Sequence, residues 1–199
     1  PMDLTSSFRT GSREGPQAIR SVSEGLEEFS PYLNLDLADC PFYDGGDILL
    51  PFGNLNECFD RIEQISKQLI LDKKIPVFLG GEHLITFPVI KSIFEFYPDL
   101  AVLHFDAHAD LRDEYLGEIY SHATVIRRVC ELIGPDNVYQ YGIRSGTKDE
   151  FAYGKSLTNF YPFQLLPGLE SSLPSLHGRP LYVTVDIDVV DPSYAPGTG

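Results

Sequence analysis

Residues 99–110 read "DLAVLHFDAHAD", a nearly continuous apolar run that passes at once into alternating aspartate and histidine. An unbroken run, unlike an alternating one, suits a strand covered on both faces, and such strands belong to parallel sheets flanked by helices. The polar end poses the chemical question. His104, Asp106, His108 and Asp110 recur every second residue, and an extended chain points alternate side chains to one face, so these groups converge on one spot. Converging carboxylates repel. Either positive charge sits between them or their pKa values rise until some are neutral.

Working outward, "KKIPVFLGGEH" predicts a strand over 75–79 ending at Gly80 and Gly81, "NVYQYGIRSG" another over 138–143, and "RPLYVTVDIDVVDP" a fourth over 181–187. Helical periodicity lies between them. Leu55, Phe59, Ile62, Ile65 and Leu69 recur at three- and four-residue steps, a second stretch runs from about Leu84 to Phe96 before Pro98, and a third from about His122 to Ile133 is closed by "GPDN". The segments 7–16 and 153–168 read as loops. Strands alternating with helices predict an α/β domain with a mainly parallel sheet, doubly wound or three-layered α/β/α.

The 199 residues are 43% hydrophobic and 22% charged, enough for one core and one globular domain. Fifteen Lys and Arg stand against 29 Asp and Glu, which argues against nucleic acid, since that partner requires a basic face. It is compatible with a small cationic substrate. No apolar run approaches a membrane span and no leader opens the chain, so a soluble cytoplasmic protein is expected. Cys40, Cys58 and Cys130 form no Cys-x-x-Cys pair and read as buried thiols. Pro1 precedes Met2, and "DPSYAPGTG" stops in a turn directly after an apolar strand. We expect a single catalytic domain over 1–199, truncated at the C-terminus, with the N-terminus open to the same reading.

Three polar clusters, "GGEH", "DAHAD" and "DID", end separate predicted strands, and the carboxyl edge of an open parallel sheet is where ligands bind. Taken alone, "DID" reads as a turn former or helix cap. Taken together, the three read as a metal site. His83, Asp106, His108, Asp110, Asp186 and Asp188 offer imidazole and carboxylate but no thiolate, a hard set suiting Mn²⁺ or Mg²⁺ and tolerating Zn²⁺ or Co²⁺. Two divalent ions would balance four carboxylates, and a pair roughly 3.5–4 Å apart makes a nucleophile at neutral pH. His104 lies deeper in the strand and reads as a buried supporting residue. His122, opening a predicted helix, is a surface histidine or a proton shuttle. Glu82 holds its neighbours in place, Asp191 caps a turn, and His177 lies in a loop away from the chemistry.

"GGEH", "FDAHADLRDEYLGEIYSHAT" and "DIDVVDPSYAPGTG" resemble, in this order, the three hallmark segments of the arginase/agmatinase/ureohydrolase family, with bacterial and archaeal agmatinases the nearest likeness. The resemblance runs from "PMDLTSSFRTGSREGPQAIR" to the last residue. It implies an arginase-like three-layer fold, two Mn²⁺ ions per subunit, trimers or hexamers of identical chains, and hydrolysis of a guanidinium to urea and an amine. By motif position, His83, Asp106, Asp110 and Asp186 hold one ion, and Asp106, His108, Asp186 and Asp188 the other, with Asp106 and Asp186 bridging. Asp110 passes on the proton that the leaving amine takes, and His122 matches the shuttle histidine.

Arginases of this family carry an Asn/Ser-rich segment before that histidine, to grip the amino acid. Here the interval reads "LRDEYLGEIYS", acidic and without Asn, which suits the bare ammonium tail of agmatine and repels a carboxylate. The expected reaction yields putrescine, in polyamine synthesis. Arginase, guanidinobutyrase and formiminoglutamase chemistry are the neighbouring alternatives. A silent metal-binding homologue, or a one-ion deacetylase on a related scaffold, are the rivals of another kind. The family's pattern continues past "PGTG" to a guanidinium-contacting glutamate, so a chain ending at Gly199 is expected to turn over poorly.

Overall fold

Asn54 starts the longest helix by accepting the Glu57 backbone N–H on its side-chain oxygen (3.1 Å). The buried stripe that follows, Cys58, Phe59, Ile62 and Ser66, repeats at one- to four-residue steps and turns Ile65 outward. In a computed structural model describing residues 2–198, this is α2 (Leu55–Leu71). Ahead of it come α1 (Gly15–Ser23) and a two-residue antiparallel pair, β1 (Phe29–Ser30) with β2 (Leu35–Asp36). After it follow α3 (Thr86–Phe94), β3 (Ala101–Phe105), α4 (Val125–Ile133), β4 (Val138–Tyr141), α5 (Lys148–Leu157), β5 (Asn159–Tyr161), α6 (Leu166–Leu176) and β6 (Leu181–Val185).

The main sheet runs β5-β4-β3-β6 with every pair parallel. Parity within β3 divides the core. Val102, with Val138 beside it, packs under α2, α3 and α4, where Phe59, Ile62, Val89, Ile90, Val125, Ile126 and Val129 are buried. Ala101 and Leu103 face the other way, with Tyr139, Tyr141 and Leu176 of α6. Helices lie on both faces of a parallel sheet, which is the expected three-layer α/β/α arrangement. No helix among the described residues is long and apolar enough to cross a membrane.

Three local expectations need correcting. Residues 75–79 form no ladder with the sheet, and Ile75 and Val77 stand exposed at 94% and 83% while Phe78 reaches the core. An apolar run makes a strand only where a neighbour takes its backbone hydrogen bonds, and neither edge of this sheet does so. Secondly, β6 is covered on one side only. Leu181, Val183 and Val185 register with Ala101, Leu103 and Phe105 yet remain exposed, because α6 covers β3 and β4 without reaching this edge strand. Thirdly, 153–168 is not a loop but the end of α5, all of β5 and the start of α6. Its glycines serve contact rather than turning: a Cβ would lie 2.7 Å from the Phe160 ring at Gly154 and 2.8 Å from the Tyr161 Cβ at Gly168.

Candidate metal centre

The carboxyl ends of β3 and β6, together with the turn that opens α3, meet at one edge of the sheet. His83 lies on a 3-10 turn, His83–Ile85, that leads into α3. Its placement depends on Gly81, where a Cβ would lie 1.9 Å from the Met2 carbonyl oxygen, and on the Glu82 N–H, which donates to that same oxygen (2.7 Å). Asp106 follows β3 directly. Asp186 follows β6 and accepts the Asp188 N–H, which closes the turn Ile187–Val189.

Strand parity accounts for His104 and Asp106 alone. The strand ends at Phe105, and His108 and Asp110 arrive by a turn. The His108 backbone N–H donates to Asp106 Oδ1 (2.6 Å), and Asp110 adopts the left-handed conformation (φ 51°), open to Asp at small cost. The Asp110 carbonyl then accepts the N–H groups of Ile126 and Arg127 (3.1 Å each), fastening the turn to the start of α4.

All six side chains singled out as ligands meet here. Asp106 Oδ2 is 3.0 Å from His83 Nδ1, and Asp110 Oδ2 and Asp186 Oδ2 lie 3.2 and 3.7 Å from the same nitrogen. On the other side, His108 Nδ1 is 2.9 Å from Asp188 Oδ2 and 3.6 Å from Asp106 Oδ1. Two tight groups result, one with His83, His104, Asp106 and Asp110, the other with Asp106, His108 and Asp188; they share Asp106. Asp186 sits beside the first group, more exposed than Asp106, Asp110 or Asp188.

Several supporting residues hold these groups. His104 is fully buried: its Nε2–H donates to Asp106 Oδ2 (2.8 Å), and Gln140 Nε2 donates to its Nδ1 (3.1 Å). With both nitrogens taken it braces Asp106, as its depth in the strand suggested. His83 Nε2 pairs with Thr184 Oγ1 (2.9 Å), which in turn contacts Thr86. The Asp188 carboxylate accepts the Ala107 N–H, and Arg144 donates to the carbonyls of Asp188, Val189 and Val190. Gln140, Thr184 and Arg144 were not singled out from the sequence, although each is a polar residue within or just past an apolar strand at this edge. Asp191 accepts the Ser193 N–H and braces a turn, as expected.

One atom tests whether this set fits a cation. His83 Nδ1 is buried amid three carboxylates, yet makes no hydrogen bond to any of them. A buried ring nitrogen without a partner, ringed by anionic oxygens, is the donor arrangement that a divalent ion satisfies.

The electrostatics give the same account. Burial, followed by the charge on Asp106, raises Asp110 to about 7, and the same two causes raise Asp186. Asp106 is itself buried, but the hydrogen bond from His104 and the neighbouring imidazoles of His108 and His83 outweigh burial and hold it well below the usual range. Burial likewise opposes charge on His83, yet Asp106 and Asp110 prevail and raise it; Asp106 and Asp188 raise His108 to about 10. Crowded acids therefore favour charge on the imidazoles of His83 and His108 and a proton on Asp110, whereas burial lowers His104.

His122 opens the 3-10 turn His122–Thr124 ahead of α4, half-buried, with Tyr115 packed edge-on against its ring (5.5 Å between centroids, 83°). Burial lowers its pKa, with the charges of His108 and Asp186 among the further influences. In the acidic interval before it, Asp113 is engaged by Arg128 (3.2 Å), whereas the exposed Glu114 and Glu118 make no ion pair among the described residues.

A three-layer α/β/α fold that gathers carboxylates and imidazoles at one sheet edge defines a class of metal-dependent α/β proteins. Residues 1–199 match the sequence profile of the arginase family, and the chain belongs to that family. It is 56% identical over 200 residues to an agmatinase of Bacillus subtilis and 55% to one of Bacillus anthracis, covering 100% of this chain and 69% of each relative. A solved agmatine ureohydrolase of Thermoplasma volcanium superposes with a TM-score of 0.86 at 32% identity, over 98% of this chain and 67% of that one.

Proposed function

We propose that this chain hydrolyses agmatine to putrescine and urea, with two Mn²⁺ ions held by His83, Asp106, Asp110 and Asp186 on one side and Asp106, His108, Asp186 and Asp188 on the other. The observation that carries the reading is the pair of ligand groups sharing Asp106. The agmatinases of Bacillus at 55–56% identity support the choice of substrate. Two such ions supply a strong oxygen nucleophile at neutral pH.

The protein's own residues do the rest. Agmatine is a dication whose guanidinium has a pKa above 12, so it is attacked as the cation, and the carboxylates around the site draw it in and accommodate its charge. Glu114 and Glu118, exposed in the interval before His122 and without an ion pair among the described residues, suit the ammonium tail and disfavour the carboxylate of arginine. The amine leaves only once protonated. His122, half-buried with a lowered pKa, delivers that proton, and Asp110 passes one on within the site.

We take residues 1–199 as belonging to a single catalytic domain acting in the cytoplasm, which suits three free cysteines. Assembly into trimers or hexamers is consistent with the apolar side chains exposed between residues 26 and 52, among them Tyr32, Phe42, Tyr43 and Phe52 at 75% or more. The deciding experiment is urea release by full-length, Mn²⁺-loaded protein with agmatine and L-arginine in parallel. Turnover of agmatine alone is expected; preference for arginine would overturn the specificity argument, and no urea from any guanidino compound would overturn the reaction.

A further inference from the structure

Thr5 lies 117 residues from His122 and 77 from Glu82, yet touches both. Its hydroxyl oxygen is 2.8 Å from Glu82 Oε2, 3.1 Å from the His122 backbone nitrogen and 3.5 Å from His122 Nδ1. Its backbone N–H also donates to Glu82 Oε2 (2.9 Å). A hydroxyl has one hydrogen and two lone pairs. The hydrogen goes to Glu82 Oε2, the nearest acceptor, which also receives the Thr5 backbone N–H. One lone pair receives the His122 backbone N–H. The other therefore faces Nδ1 and can only accept. We infer that Thr5, oriented by Glu82, holds His122 in the tautomer with its proton on Nδ1, leaving Nε2 as the nitrogen that exchanges protons with the reacting groups.

Tyr115 packs edge-on against the ring and limits its rotation. The turn that carries His122 is fixed independently, since Ser121 and Thr124 satisfy each other's groups in a capping box. Glu82 is anchored from both sides, by its own N–H on the Met2 carbonyl and by the two bonds from Thr5. The N-terminal segment thus joins the "GGEH" turn to the histidine, and the acceptor stays in place whether the ring is neutral or protonated, because Nδ1 donates in both states. Thr5 and Glu82 are positioning residues. Their role rests on the proton-transfer reading of His122 proposed above, and the tests separate the two.

The substitutions are Thr5→Val, close in shape without the hydroxyl, and Thr5→Ser, which keeps it. Thr5→Val is expected to lower kcat about 10- to 100-fold, less than the 10²- to 10⁴-fold worth of general acid–base catalysis because the ring itself remains, with KM for agmatine and the metal-to-protein ratio unchanged. Thr5→Ser is expected to restore most of it. Nitrogen-15 histidine spectra of the Mg²⁺-loaded protein, which avoids paramagnetic broadening, are expected to show His122 protonated at Nδ1 in the parent and in Thr5→Ser, and shifted toward the Nε2–H form in Thr5→Val. A parent protein with its proton on Nε2, an unchanged kcat in Thr5→Val, or equal losses in both variants would overturn the inference. The spectra require no turnover, so absence of urea release would refute the reaction while leaving the tautomer measurable.

Discussion

Replacing Asp106 by Asn keeps the shape of the side chain and removes the charge that both ligand groups share. Asp106 is 1% exposed and accepts on both oxygens, from the His108 backbone N–H on Oδ1 and from His104 Nε2–H on Oδ2. His104 cannot reverse its tautomer without cost, because Gln140 already donates to its Nδ1. An amide NH₂ therefore meets a donor whichever way it is turned. One unsatisfied buried donor costs about 1–3 kcal/mol, partly offset by relief of Asp110 from the charge that helps raise it. The larger effect is on cations. Saturation at about 100 times Kd stabilises a fold by about 2.7 kcal/mol per site, and two sites together raise Tm by roughly 11–22 °C for a chain of this size. Thermal scans with EDTA and with Mn²⁺, alongside elemental analysis, are expected to show that rise in the parent and none in Asp106→Asn, with both ions and urea release lost together. Asp188→Asn, confined to the second group, is expected to retain one ion. If Asp106→Asn kept two ions and the full thermal rise, the shared-ligand argument would be refuted.

Three further outcomes are expected. His122→Ala should lower kcat by about 10²- to 10⁴-fold while leaving two metal ions in place, and metal loss in that variant would remove the shuttle assignment. Metal-free protein should lose stability as pH rises: the folded state keeps a proton on Asp110 between 3.8 and about 7 and on His108 between 6.5 and about 10, windows in which the unfolded chain has released it. Scans in EDTA at pH 5, 7 and 9 should show a falling Tm, and a Tm that rises with pH would contradict the charge balance described for the centre. Gln140→Leu, which strips His104 of its donor and leaves the Ala109 carbonyl without one, should weaken Mn²⁺ binding about 10- to 100-fold, measured by competition with a fluorescent chelator.

The ligand clusters were legible because each is local. "GGEH", "DAHAD" and "DID" each sit at the end of an apolar run; the parallel sheet brings the last two to one edge, while the turn into α3 and the Met2 carbonyl bring "GGEH" there. The route by which His108 and Asp110 reach the site was not legible, since alternation along the chain looks the same whether a strand continues or turns at Asp106. Nor were the braces, because Thr5 with Glu82, Gln140 with His104 and Arg144 with the "DID" turn are pairings between positions 36 to 77 apart, for which composition carries no signal. The run at 75–79 misled for a related reason: hydrophobicity reports that a segment is apolar, not that a neighbouring strand is there to meet it. Gly154 and Gly168 misled in the opposite sense, reading as punctuation where they are contact surfaces against Phe160 and Tyr161.

The left-handed backbone at Asp110 has a consequence for how this position can drift over generations. A single base change turns an aspartate codon into Asn, Gly, His, Tyr, Ala, Val or Glu. At φ 51° the backbone admits Gly and Asn readily, and Val and Tyr only under strain. Gly brings no oxygen to the site and Asn brings no charge, while Glu, which keeps the charge, is both longer and poorly suited to that conformation. Backbone and chemistry reject different neighbours, and between them they leave only His, which tolerates the conformation and carries a ligand nitrogen but not the charge. Asp110 is thus held by two independent requirements, and any other escape from it would require the turn and the centre to be rebuilt at once.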